Sequence, residues 1–131
     1  SSHFDNRREN LLESSKMVNQ LISKLDAPVI FAADTNLRPS MRGFDLLKDK
    51  FYDSFDIKEN FTLIRNSNTD IHDSCNLEKG KFFPECRVDH IFLSKRHSWR
   101  VYNWSVDQFK YGKKNRFNSD HRAITAEIEL Q

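Results

Sequence analysis

Five apolar residues in a row, Val29-Ile30-Phe31-Ala32-Ala33, end abruptly at the carboxylate of Asp34, and this run limits the fold more than any other stretch of the chain. It is too short for an ordinary helix and rich in β-branched residues, so it reads as a strand buried on both faces. A helical stripe precedes it. Leu11, Leu12, Ser15, Val18, Leu21, Ile22 and Leu25 recur at three- and four-residue spacings, which predicts a helix over 9–25 with one inward face. Asp26-Ala-Pro28 ends that helix, because a proline biases the residue before it out of the helical region. A second buried strand is expected in Arg87-Val-Asp-His-Ile-Phe-Leu93, and alternation marks further strands at 99–106 and 124–130. Gly43 to Lys50 reads as a second helix, with Phe44, Leu46 and Leu47 inward. Tyr52 to Ile57 and Phe61 to Ile64 read as strands, and Arg65 to Glu85 as a long polar loop, either functional or mobile. Two helices among several strands indicate an α/β or α+β layered domain.

Composition narrows the classes. A chain of 131 residues is one domain or a piece of one, and 37% hydrophobic content is enough for a core. No apolar run approaches the roughly 20 residues of a membrane span. The net charge of +2, from 21 basic against 19 acidic residues, is compatible with a nucleic-acid partner without arguing for one. Cys75 and Cys86 are too few for a disulfide scaffold and form no C-x-x-C pair, so they read as two separate thiols in a reducing compartment, with one bridge closing the loop between them as the alternative. His72, His90 and His97 have no ligand spacing with each other or with the cysteines, which makes a zinc site improbable and the three histidines incidental.

Polar residues gather at the ends of the expected strands. Four groups stand out: His3 with Asp5, Asn6 and Arg8; Asp34 with Asn36 and Arg38; Arg87 with Asp89; Asp120 with His121. In layered α/β proteins such ends converge on one edge of the sheets, where ligands bind. A carboxylate beside an amide and two imidazoles suits attack of water on a phosphate ester. The carboxylate orients and deprotonates the water. Asn36, His3 and His121 supply donors for charge on the phosphoryl oxygens. Asp89, if it reaches a ring nitrogen of His121, fixes the tautomer and favours the imidazolium. Arg8 and Arg38 offer paired hydrogen bonds to phosphate. A Mg2+ ion needs hard oxygen ligands, for which Asp34 and Asp120 are the obvious donors. Phe109-Lys-Tyr-Gly-Lys-Lys-Asn-Arg-Phe117 mixes cations with aromatics just before the last cluster, which suits a nucleic-acid backbone as well as it suits a solvated loop.

The order His3-Phe-Asp, a helix, Val-Ile-Phe-Ala-Ala-Asp34-Thr-Asn36, Arg87-Val-Asp89-His-Ile-Phe, then Ser119-Asp120-His121 resembles the second half of the endonuclease/exonuclease/phosphatase superfamily domain, which includes pancreatic deoxyribonuclease and abasic-site endonucleases. The likeness runs from His3 to about Leu130. It implies half of a four-layer α/β-sandwich, with a mixed, largely antiparallel sheet and two helices on one face. Residues 1–131 would be the C-terminal half, and the N-terminal half, with its metal-binding Glu and an Asn, would be a partner absent from this chain. Asp34-Thr-Asn36-Leu-Arg38, and the spacing from His3 to Arg8, are most similar to tyrosyl-DNA phosphodiesterase 2. On that likeness Asp34 is the proton donor/acceptor and His121 stabilises the transition state. His3, Asn6, Arg8, Asn36 and Arg38 would line the path of a DNA 5′ phosphate, Asp89 would orient His121, and Asp120 would bind the metal. The implied activity is Mg2+-dependent phosphodiester hydrolysis, with Mn2+ as a substitute, on 5′-phosphotyrosyl DNA in an intracellular, nuclear or cytoplasmic setting.

Three positions depart from the family pattern. Ala33 stands where Gly is usual, Asn6 where Ser is, and Leu63 where an aromatic residue would stack a base. The last weakens the tyrosyl-DNA reading within the superfamily. A general nuclease or a lipid or sugar phosphatase is the alternative of the same class, and a non-catalytic binding or scaffold domain the alternative of another.

Overall fold

The computed structural model describes residues 3–65, 82–114, 116, 119 and 121–131, with side chains from Arg8 onward. Its elements are α1 (His3–Ser23), β1 (Ile30–Asp34), α2 (Arg42–Lys50), β2 (Phe51–Asp53), α3 (Ser54–Ile57), β3 (Phe61–Ile64), a 3-10 turn (Pro84–Cys86), β4 (Asp89–Ser94), β5 (Trp99–Asp107) and β6 (Ala123–Leu130). Two three-stranded sheets result, in the orders β1-β4-β2 and β3-β5-β6. The first is antiparallel throughout; in the second β3 runs parallel to β5 and β6 antiparallel to it. The α/β class and its mixed, largely antiparallel strands are as expected. Among the described residues no helix is long and apolar enough to cross a membrane.

One core cluster lies between the helices and one face of the first sheet, and Leu93, Val101, Trp104 and Val106 are buried outside it. Ile22 of α1, Phe44 and Leu47 of α2, Phe51 and Phe92 of the sheet, and Leu37 are each buried in one cluster. Phe92 is its centre, with Phe31, Phe44 and Phe51 rings all about it at 5.6–6.1 Å. Gly43 sets how closely α2 meets its neighbours: a Cβ there would come within 2.9 Å of Leu37 Cδ2 and Ser15 Oγ, so those two side chains would have to shift away from α2. Phe31 and Ala33 turn toward the helices, beside Phe92 and His90 of β4, while Ile30, Ala32 and Asp34 face the other way.

Several sequence expectations change. The first helix begins at His3, so the His3–Arg8 group is helical and does not mark a strand end. Its apolar stripe is only partly covered, with Leu21 63% exposed while Ile22 is buried. β1 ends its sheet and is not buried on both faces, with Ile30 55% exposed. A run of five apolar residues cannot distinguish a central strand from an end strand. Tyr52–Ile57 divides into the end of β2 and the short helix α3, whose second amide is held by the Asp53 carboxylate (Phe55 N to Oδ1, 3.1 Å). Cys86 is buried and disulfide-bonded, against the expectation of free thiols. The sequence holds one other cysteine, Cys75, which lies with most of the 65–85 loop outside the described residues.

Candidate active site

Antiparallel pairing of β1 with β4 sets Asp34 directly opposite Asp89. Two carboxylates facing each other across a ladder destabilise it, so the pair is a feature that folding alone does not favour. Each caps the end of its strand, and both side chains stand on the face turned away from the helices. His121, two residues before β6 begins, closes the group from the second sheet. Its Nδ1 lies 2.8 Å from Asp89 Oδ2, a hydrogen bond, and its Nε2 3.7 Å from Asp34 Oδ2, which is too far for one. Donor atoms of Asp34, Asp89 and His121 all fall within 4.8 Å of one another. The three are partly open to solvent, Asp89 least at 27%. Asp89 and His121 line an open cavity of about 400 Å³, together with Ala32 and Ile91 from one sheet and Arg122 and Ile124 from the other.

Local hydrogen bonds fix the Asp34 loop tightly. Thr35 donates twice to the Val88 carbonyl, from its backbone N (2.9 Å) and from Oγ1 (3.2 Å), tying the end of β1 to the residue before Asp89. Asp34 Oδ1 accepts from Asn36 N (3.0 Å) and Thr35 Oγ1 from Leu37 N (3.1 Å), two consecutive side-chain turns. They carry Asn36 into the left-handed region, at φ 53°, where asparagine is among the few residues tolerated. The far end of the loop is held by His90, whose Nε2 donates to the Leu37 carbonyl at 2.7 Å. Burial holds this imidazole below its ordinary 6.5, and the Leu37 bond opposes that shift. His90 was expected to be incidental. It is buried against Phe44 and Phe92, one residue from Asp89 but on the opposite face of β4. The signal that could have found it is strand alternation: a polar residue on the apolar face of a buried strand needs a partner.

The other sequence candidates divide. Arg87 does not pair with Asp89. It is buried with Asp53, Nη2 to Oδ2 at 2.7 Å, with Nη1 on the Pro84 carbonyl and the guanidinium 4.0 Å from the Phe55 ring centre. Asn36 is exposed at the mouth of the loop, and Arg38 is half-buried two residues on. Arg8 is exposed on α1. The side chains of His3 and Asn6, and Asp120 as a whole, lie outside the described residues. Mg2+ takes about six hard oxygen ligands in near-octahedral array. Two carboxylates and an imidazole, with Asp89 and His121 hydrogen-bonded to each other, do not by themselves supply that shell.

Solved structures share this architecture. An endonuclease/exonuclease/phosphatase family protein from Bacteroides thetaiotaomicron superposes with a TM-score of 0.69 at 23% identity, over 92% of this chain and 45% of its own. This is the endonuclease/exonuclease/phosphatase fold. A mannosyl-6-phosphatase from Bacteroides thetaiotaomicron VPI-5482 gives 0.66 at 22%, over 92% and 46%. A functionally unknown conserved protein from Enterococcus faecalis V583 gives 0.69 at 18%, over 95% and 46%. The chain thus spans less than half the length of the structures it matches. No protein-family model matches the sequence, and no curated protein matches it.

Proposed function

We propose that this chain carries part of the active site of a phosphoester hydrolase. The observation that supports it best is the cross-strand pair Asp34 and Asp89 with His121 between them, at 3.7 and 2.8 Å. With Nδ1–H given to Asp89, the neutral ring turns the lone pair of Nε2 toward Asp34; on taking up a proton, Nε2–H becomes a donor for a phosphoryl oxygen. Asp89 acts as the positioning carboxylate, which keeps the tautomer and favours the charged ring. Asp34 is held at one oxygen by Asn36 N, and its second oxygen, 3.7 Å from His121 Nε2, is the base for an attacking water. Asn36 and Arg38, on the same loop, are the groups for the phosphate itself.

The substrate we put first is a phosphodiester at a DNA 5′ end, with tyrosine as the leaving group. The second reading, a sugar phosphate monoester, draws on the mannosyl-6-phosphatase whose fold this chain shares. In either case Asp120 and further oxygen ligands, with an N-terminal half-domain as partner, would complete a Mg2+ site. The outer sides of β1 and β6, which end their sheets among the described residues, and the exposed Ile30 are where that half would add.

The test uses the natural chain that carries this sequence, at its full length. It is incubated with a 5′-phosphotyrosyl oligonucleotide or with mannose 6-phosphate, with Mg2+ or with chelator. Asp34→Asn should lower kcat by about a hundredfold or more, the scale of a lost general base, while leaving the thermal midpoint nearly unchanged. Asp89→Asn should lower it less. An Asp34→Asn enzyme with wild-type kcat would refute the assignment, and silence of the wild type on every phosphoester would shift the reading to a binding domain.

A further inference from the structure

Between β5 and the Ser119–His121 turn the chain forms a hairpin that the proposed reaction does not use. From Phe109 to Ser119 the sequence has four cations, Lys110, Lys113, Lys114 and Arg116, and no acidic residue. The stem is closed by a mutual backbone pair, Tyr111 N to Arg116 O at 2.7 Å and Arg116 N to Tyr111 O at 3.0 Å. Gly112 follows at φ 77°, a left-handed turn position suited to glycine, and Lys113 and Lys114 are exposed at the tip. Both carboxylate oxygens of Asp107 hold the base of the hairpin: Oδ1 accepts from Phe109 N and Oδ2 from the Tyr111 hydroxyl, each at 2.8 Å. The Phe109 and Tyr111 rings lie 4.9 Å apart, and Tyr111 keeps 44% of its surface open.

An unstructured solvated loop does not need these restraints. The Asp107 carboxylate at the base is engaged by the hairpin's own donors, so the outward chemistry of the hairpin is cationic and aromatic. Cations follow phosphates, and an exposed, rigidly held ring stacks on a base of any sequence. His121 is five residues beyond Arg116, a reach of at most about 18 Å along an extended chain. We infer that this hairpin binds the phosphate backbone of a single-stranded nucleic acid, with Lys113 and Lys114 on phosphates and Tyr111 under a base. The inference rests on the phosphoester reading only in placing the bound strand next to a scissile phosphate. Its binding step needs neither metal nor turnover.

The experiment measures binding of a short fluorescent single-stranded oligonucleotide to the full-length natural chain by anisotropy, in chelator, across a salt series. The wild type should bind, with affinity falling as salt rises. Lys113→Glu with Lys114→Glu should weaken binding about tenfold or more. Lys113→Gln with Lys114→Gln should flatten the logarithmic salt slope by about 1.4, or about 0.7 for each single-strand phosphate no longer neutralised. Tyr111→Ala should weaken binding about fivefold or more, and Tyr111→Phe should keep most of it, since the ring and not the hydroxyl stacks. Unchanged affinity and slope in both lysine variants would overturn the inference. So would a wild type that binds anionic phospholipid vesicles and no oligonucleotide. Oligonucleotide binding that depends on these residues, in a protein that hydrolyses no phosphoester, would sink the proposed reaction and leave the hairpin assignment standing.

Discussion

Replacing Arg87 by Met tests the most consequential structural pair in the chain. Arg87 keeps 6% of its side-chain surface and Asp53 1%, and their 2.7 Å contact joins the end of β2 to the segment that enters β4. In the variant, Asp53 Oδ1 still accepts from Phe55 N, but Oδ2 loses its cation and the Pro84 carbonyl keeps only the backbone N–H of residue 87. Removing one partner of a buried pair leaves an uncompensated charge and costs about 3–5 kcal/mol. Methionine retains apolar contact with Phe55, so the loss should be mostly electrostatic and fall near 4 kcal/mol, a large share of the roughly 5–15 kcal/mol that holds a domain together. Lys48 and Asp56 provide the contrast. They are as close, at 2.8 Å, but 42% and 45% exposed, so Lys48→Ala should cost less than about 1 kcal/mol. The assay is urea unfolding of the natural full-length chain, comparing midpoints at constant slope. Adding Asp53→Asn to Arg87→Met should recover part of the loss, because the stranded charge is then gone. A loss under about 1 kcal/mol for Arg87→Met would show that Asp53 finds another partner or water, and would refute the reasoning.

Two further outcomes are expected. His90 is held below its ordinary 6.5 by burial, so between that value and its folded value the unfolded chain takes a proton that the folded one refuses. Stability should therefore be full above about pH 6.5 and fall as pH drops through that window. Urea midpoints of the wild type across pH should show the slope and those of His90→Phe should lack its share; equal slopes would remove His90 as the cause. Cys86→Ser, or a reductant on the wild type, should lower stability by about 2–4 kcal/mol, the usual worth of a disulfide. A melting midpoint unmoved by reduction would mean that the bridge does not contribute.

Periodicity was legible wherever local chemistry set it. The helical stripe, the apolar runs ending at Asp34 and beginning after Asp89, and the alternating Ile124–Leu130 segment all became regular elements, the strands near their expected bounds and α1 starting at His3 rather than Glu9. The failures share a physical origin. Ile30 looks like a core residue among its apolar neighbours in the chain, yet its exposure depends on whether another strand lies beside β1. Arg87 looks like a partner for Asp89 two residues away, but the two side chains enter different surroundings, and Asp53 is close only because β2 pairs with β4.

By itself the sequence determined which groups could do chemistry: Asp34 and Asn36 after one apolar run, Asp89 before another, His121 before the last strand. Those residue types, placed where strands stop, follow from composition and local period alone. Only the tertiary structure decided that Asp34 and Asp89 face each other, that His121 bonds one and lies beside the other, and that His90 supports the loop from behind. Register across two strands so far apart in the chain is set by which apolar faces meet, and a one-residue slip would turn every one of these side chains to the other side of the sheet.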